Sequence, residues 1–216
     1  MAILDQLASR QGTLTAEPNK EVARQCAENP ALLEELCPHL QSRDKRLQGD
    51  VAEVFTETAR LNPDLVLPYV DDLLILLATK NNRALWEMLA GLALVAGRVP
   101  DRVYPHAEQL FHLARTGSVI VVDGAIQTLA QVATAQAGYA PAIVPGLLER
   151  LEACIPRDMP RLGEYILPAI LANPGYRPQM AALLERRLPE GNKSGQARVR
   201  RLLQQMKTIR KEENHG

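Results

Sequence analysis

The chain has 216 residues, and its 25 Lys and Arg balance 25 Asp and Glu, so no net field draws it to nucleic acid or to an anionic membrane. Its 33 Leu and 28 Ala, against 4% aromatic residues, favour helices, which those two residues enter at least cost, over strands rich in β-branched and aromatic side chains. Three scattered cysteines, Cys26, Cys37 and Cys154, with no C-x-x-C among them, argue against a disulfide framework or a zinc cage.

At the N-terminus, Met1 to Arg10 carries Asp5 and lacks the basic start and long apolar core of a secretory leader. Helices are predicted over 2–11 and 18–28, and residues 1–28 read as a capping pair. The longest unbroken apolar stretch, Met88 to Ala96, is about half of what a bilayer span requires. A soluble, cytoplasmic protein is therefore expected.

Beyond residue 28 the pattern repeats. Asn29-Pro30 and Asn62-Pro63 are 33 residues apart, and Asn173-Pro174 lies 111, or three times 37, further on. Val99-Pro100 falls 37 after Asn62-Pro63, and Ala140-Pro141 sits near the remaining slot. Asn before Pro marks a helix start: Asn accepts an orphan N–H, and Pro has none to leave unsatisfied. First helices are thus predicted over 30–41, 63–79, 102–115, 141–154 and 176–188. Second helices follow over 44–61, 82–97, 119–136, 159–172 and 195–212. Asp44, Asn81 and Ser118 stand 37 residues apart as N-caps of the second helices. Behind them three sets of core positions keep step: Val51, Met88, Ala125 and Leu162; Phe55, Leu92, Leu129 and Ile166; Ala59, Ala96, Ala133 and Ile170.

Two-helix units of about 37 residues are the mark of an α-solenoid. With proline in the first helix and a polar cap before an Ala-rich second helix, the chain resembles a HEAT-repeat protein, and its turn segments Lys80-Asn81-Asn82-Arg83 and Gly117-Ser118-Val119-Ile120 are similar to those of small prokaryotic HEAT-repeat proteins. The resemblance implies an all-α, right-handed solenoid of about six antiparallel helix pairs filling residues 1–216 as one domain. Four clear repeats cover 29–176, and 177–216 form a C-terminal capping pair with a basic last helix. It also implies a ladder of turn Asp and early second-helix Arg; Arg46 and Arg83 keep that register, but Ile120 interrupts it.

Charge is uneven along the stack. Residues 28–72 hold ten acids and four bases, net −6, and residues 183–216 hold nine bases and four acids, net +5. Each run reads either as a solvated face or as a contact for a distinct partner. On the ridge where second helices begin, Lys80, Asn81, Asn82, Arg83, Trp86, Ser118 and Asp123 form the candidate partner-binding set, with Trp86 as anchor. Asn81 and Ser118 read equally as caps, Asp123 as a partner of a neighbouring helix, and Trp86 as core filling. In the last helix Arg198, Arg200, Arg201, Lys207, Arg210 and Lys211 flank an apolar stripe, either as the outer face of a cap or as a nucleic-acid contact.

His106 and His112 are six residues apart and so face different ways, and no Gly-rich phosphate loop is present. The sequence is accordingly read as a non-enzymatic scaffold for a partner protein, without cofactor or metal. The alternatives implied by the resemblance are a nucleic-acid-binding protein like the HEAT-fold DNA glycosylases, or a small enzyme such as a bilin lyase.

Overall fold

The computed structural model describes residues 2–213, with side chains as far as Lys207, and contains no strand among them. The second helices form one layer. These are α1 (Glu17–Glu28), α3 (Lys45–Leu61), α5 (Asn82–Val95), α8 (Val119–Ala135), α10 (Met159–Ala172) and α12 (Lys193–Glu213), each packed on the next. The first-helix elements form the other layer: α2 (Ala31–Leu36), α4 (Val70–Leu74), α6 (Pro100–Val103) with α7 (Ala107–Thr116), α9 (Ala140–Ala153) and α11 (Arg177–Arg187). The protein is an all-α solenoid in which each unit meets its sequence neighbours.

The register positions build its core. All twelve residues of the three sets named above are at most 2% exposed. At two of the contacts between second helices, one partner carries glycine. A Cβ on Gly91 would meet Thr56 Oγ1 at 3.0 Å, and one on Gly124 would meet Leu89 Cβ at 2.7 Å. The last helix buries Val199, Leu202, Leu203 and Met206 against the stack and turns its arginines outward.

Three expectations are corrected. The predicted helix over 2–11 is only a 3-10 turn, Ile3–Gln6, followed by turns. Its backbone donors go elsewhere: Ala8 N–H donates to Asn19 Oδ1 at 2.9 Å and Ser9 N–H to Asp50 Oδ2 at 2.8 Å. Buried side chains of α1 and α3 thus satisfy groups that a helix would have paired internally.

The first helices of three repeats are also not continuous. Pro38, Pro68 and Pro105 each lie in a 3-10 segment (Cys37–Gln41, Pro63–Tyr69 and Tyr104–His106) beside a short α-helix. Proline removes one i→i−4 bond and crowds the preceding turn, which the tighter helix tolerates. Pro145 and Pro168, by contrast, are held inside α9 and α10.

The third correction concerns caps. Asp44 does cap α3, accepting from the N–H groups of Arg46 and Leu47, and Asn62 accepts from Asp64 N–H. Asn81 and Ser118 make no side-chain cap bond. Asn81 is buried and donates to Lys45 O at 2.8 Å and Gln48 Oε1 at 3.0 Å, one repeat back.

Gly124→Ala is expected to destabilise the chain by about 1–3 kcal/mol, because Leu89 backbone stands behind its side chain and cannot give way. Gly138→Ala, which opens into empty space, serves as the control in urea denaturation and should change stability by less than about 0.5 kcal/mol.

Candidate protein-binding face

The turns that lead into α3, α5, α8 and α10 stack into a ridge, and the structure divides the predicted set along it. Lys80, Asn82 and Ser118 are exposed there. Asn81 is taken up by the inter-repeat bonds described above. Trp86 is partly buried and packs on the core. Arg83 and Asp123 are both engaged by charged partners on neighbouring second helices.

Arg83 belongs to a network at the α1–α3–α5 junction. Its Nη2 lies 2.8 Å from Asp50 Oδ1 and 2.7 Å from Glu53 Oε2. Asn19, itself fully buried, donates to the same two carboxylates at 3.0 and 2.7 Å. Burial alone would raise the Asp50 carboxyl; its contacts with Ser9 and Asn19 and the Arg83 charge more than offset that, and hold it below the usual carboxylate range. The arginine stem crosses Gly49, where a Cβ would meet Arg83 Cδ at 3.0 Å. Arg83 thus reaches acids within the preceding second helix rather than in the turn, and with Ile120 in the next slot the ladder implied by the resemblance is incomplete.

The same construction recurs further along. Arg161 pairs with Asp123 across the α8–α10 junction and with Asp158 at 3.0 Å. Burial raises the Asp123 carboxyl in spite of that arginine. Arg198 grips Glu164 through Nε at 2.9 Å and Nη2 at 2.5 Å. Of the remaining basic candidates, Arg200 donates to Gln196, Lys207 lies 3.9 Å from Glu185, and Arg201 is exposed. The side chains of Arg210 and Lys211 lie outside those described.

Two features of this face were not picked out from the sequence. Glu87, on α5, is pushed up to about 7, chiefly by burial and further by Glu53 and Glu57, against the opposing charges of Arg83 and Arg60. Val119 and Ile120 at the start of α8 and Ile155 in the turn before α10 are exposed to 57%, 53% and 54%. Ile120 occupies the slot that Arg46, Arg83 and Arg157 hold in the neighbouring repeats. That break in an arginine register was the available signal; it read as a defect in a ladder when it is an apolar point on a ridge.

Burial raises the thiols of Cys26, to about 12, and Cys37, to about 11, so both stay protonated at neutral pH. Among the described residues no three His, Cys, Asp or Glu side chains converge as a metal site, and no helix is long and apolar enough to cross a membrane.

No family model and no curated protein sequence matches the chain. Solved structures do. A designed armadillo repeat protein in complex with the peptide (KR)4 superposes with a TM-score of 0.72 at 15% identity, over 94% of this chain and 98% of that one. Computationally designed armadillo repeat proteins for modular peptide recognition give 0.65 at 13%, over 94% and 97%. An engineered protein from a structural genomics programme gives 0.65 at 19%, over 96% and 100%. At these identities the likeness is one of fold: the chain is an α-solenoid similar in architecture to designed armadillo repeat proteins.

Two predictions follow from the network. Asp50→Ala leaves the Ser9 N–H without its acceptor while Arg83 and Asn19 keep Glu53, and should cost about 1–3 kcal/mol in urea denaturation. For Glu87, the folded chain holds its proton to about pH 7, whereas an unfolded carboxyl releases it near its ordinary 4.5. The contribution is full below the lower value and lost as pH rises to the higher one. Glu87→Gln should therefore match the parent at pH 4.5 and exceed its stability at pH 8, by on the order of 1 kcal/mol.

Proposed function

We propose that this solenoid is a non-catalytic scaffold that binds an extended segment of a partner protein along the ridge and the adjoining face of the second helices. The observation that carries the reading is the exposure of three aliphatic side chains, Val119, Ile120 and Ile155, in the turns that lead into α8 and α10. Exposed branched side chains in the turns of two adjacent repeats cost solubility and repay it when covered. Lys80, Asn82, Ser118 and Arg157 lie exposed along the same ridge as a polar surround, the arrangement of an apolar centre within a polar rim. Peptide binding by designed proteins of this fold supports the choice of a segment rather than a globular partner.

Trp86 takes a supporting part in this reading, holding α5 against its neighbours, and the anchor shifts to the two isoleucines. The basic last helix is assigned to closing the stack, since Arg198 is committed to Glu164 and the apolar stripe is buried. The role requires no cofactor and no reacting side chain.

The test is proximity labelling in the native cell with the parent and with an Ile120→Glu, Ile155→Glu double variant. Both side chains are half exposed, so the variant should melt within a few degrees of the parent. A partner set labelled by the parent and lost from the variant is the expected result. Equal labelling by both would remove the ridge as the binding surface.

A further inference from the structure

The edge opposite the ridge, where second helices end and the next first helices begin, carries a pattern of its own. Four of the chain's five tyrosines, Tyr69, Tyr104, Tyr139 and Tyr176, fall in the 3-10 segments there. Tyr69 packs edge-on against buried Phe55, while Tyr104 and Tyr139 stack face to face with ring centroids 3.8 Å apart. Beyond Tyr139 two repeats leave an open groove of about 360 Å³, with Ala137, Pro141, Ala172, Pro174, Gly175 and Tyr176 in its walls. All of these but Tyr176 are exposed. Both walls come from stretches without a charged side chain, residues 124–148 and 165–176, in a chain that is 23% charged. A charge laid along this groove would therefore lose hydration and meet nothing in return. Asn173, the one amide in the wall, spends its N–H groups on Ala133 O and Ala169 O. One exception stands at the near end. Asp101 accepts from the Tyr139 hydroxyl at 2.7 Å and has no ion-pair partner among the described residues, whereas Asp64 and Asp71 are held by Arg98 and Arg102.

We infer that this edge binds a proline-rich segment of a partner in the polyproline II conformation, with a Lys or Arg beside the prolines to meet Asp101. Such a segment has no internal hydrogen bonds to break and little conformational freedom to lose, so it docks without refolding. The proline and tyrosine rings of the groove offer flat apolar surface to its pyrrolidine rings, the way aromatic-lined grooves hold such segments. The spacing agrees: one polyproline II turn of three residues advances about 9 Å, close to the 8–10 Å between packed helices. Every third residue of the segment thus meets the next repeat. Single-stranded nucleic acid fits less well, since its phosphates would face Asp101 and find no Lys or Arg in the groove wall. The site lies at the far ends of the helices that carry the ridge, and it goes beyond the scaffold reading given for that ridge.

The probes are blocked octaproline flanked on both sides by Lys or by Glu, a Lys-flanked Gly-Ser peptide of equal length, and a short oligothymidylate. Each is titrated at low salt into the full chain labelled with ¹⁵N. With Lys-flanked octaproline, amides within residues 137–142 and 172–177 should shift and saturate, and the Glu-flanked form should bind about tenfold more weakly. Asp101→Asn, at an exposed position, should erase that preference. An Ala137→Lys, Ala172→Lys double variant puts charge on both exposed walls; it should melt within a few degrees of the parent and bind neither peptide. No saturable shift, an equal response to the Gly-Ser peptide, or equal affinity for Lys and Glu flanks would each overturn the assignment. So would the same shifts produced by oligothymidylate or by concentrating the chain alone. The Ile120→Glu, Ile155→Glu variant should bind Lys-flanked octaproline as the parent does, so this site and the ridge fail separately.

Discussion

A side chain that reaches back by one repeat closes successive junctions of the stack, and the rest of the structure depends on that reach. Arg83 returns to Asp50 and Glu53, Arg161 to Asp123, and Arg198 to Glu164 among the second helices. In the other layer Arg98 returns to Asp64 and Arg102 to Asp71, while Arg150 donates to Ala114 O and Arg187 to the carbonyls of Leu151, Glu152 and Cys154. Asn81 and Asn173 do the same with their amides. Apolar packing draws neighbouring helices together without fixing their relative slide, whereas a directional bond to one named carbonyl or carboxylate admits only one. The candidate face inherits its order from this, because each unit is pinned to the last.

The period, the alternation of first and second helices and the buried positions were legible because they are set by apolar spacing, which sequence displays directly. Val51, Met88, Ala125 and Leu162 lie 37 residues apart and all meet the core. Polar residues were harder to read, since an Asn before a helix has two uses that look alike on paper. Asn62 accepts from the N–H two residues on, while Asn81 in the equivalent role turns away to the previous repeat. Which one prevails depends on whether the side chain sits in water or against an unpaired carbonyl, and that is a property of the stack. The prolines illustrate the same limit. Pro68 and Pro145 carry the same local instruction, yet one lies in a 3-10 segment and the other inside α9.

On the candidate face, the sequence marked the ridge itself and misjudged which residues are available on it. Charged and aromatic side chains attracted notice as recognition groups, but Arg83, Asp123 and Trp86 are largely consumed in holding repeats together. The exposed side chains that the stack does not use are the aliphatic points at Val119, Ile120 and Ile155 and the polar Lys80, Asn82 and Ser118.

From α5 onward the arginines of these junctions point the same way, with the cation in the later repeat and its acceptor in the earlier one. A finite row of bonds polarised in one direction must begin with acceptors and finish with donors. Asp50, Glu53, Asp64 and Asp71 are among the ten acids of residues 28–72, and Arg186, Arg187 and Arg198 among the nine bases of residues 183–216. The negative head and positive tail of a chain with no net charge are thus partly the two unmatched ends of its own stitching, much as a row of aligned magnets shows poles only where it stops.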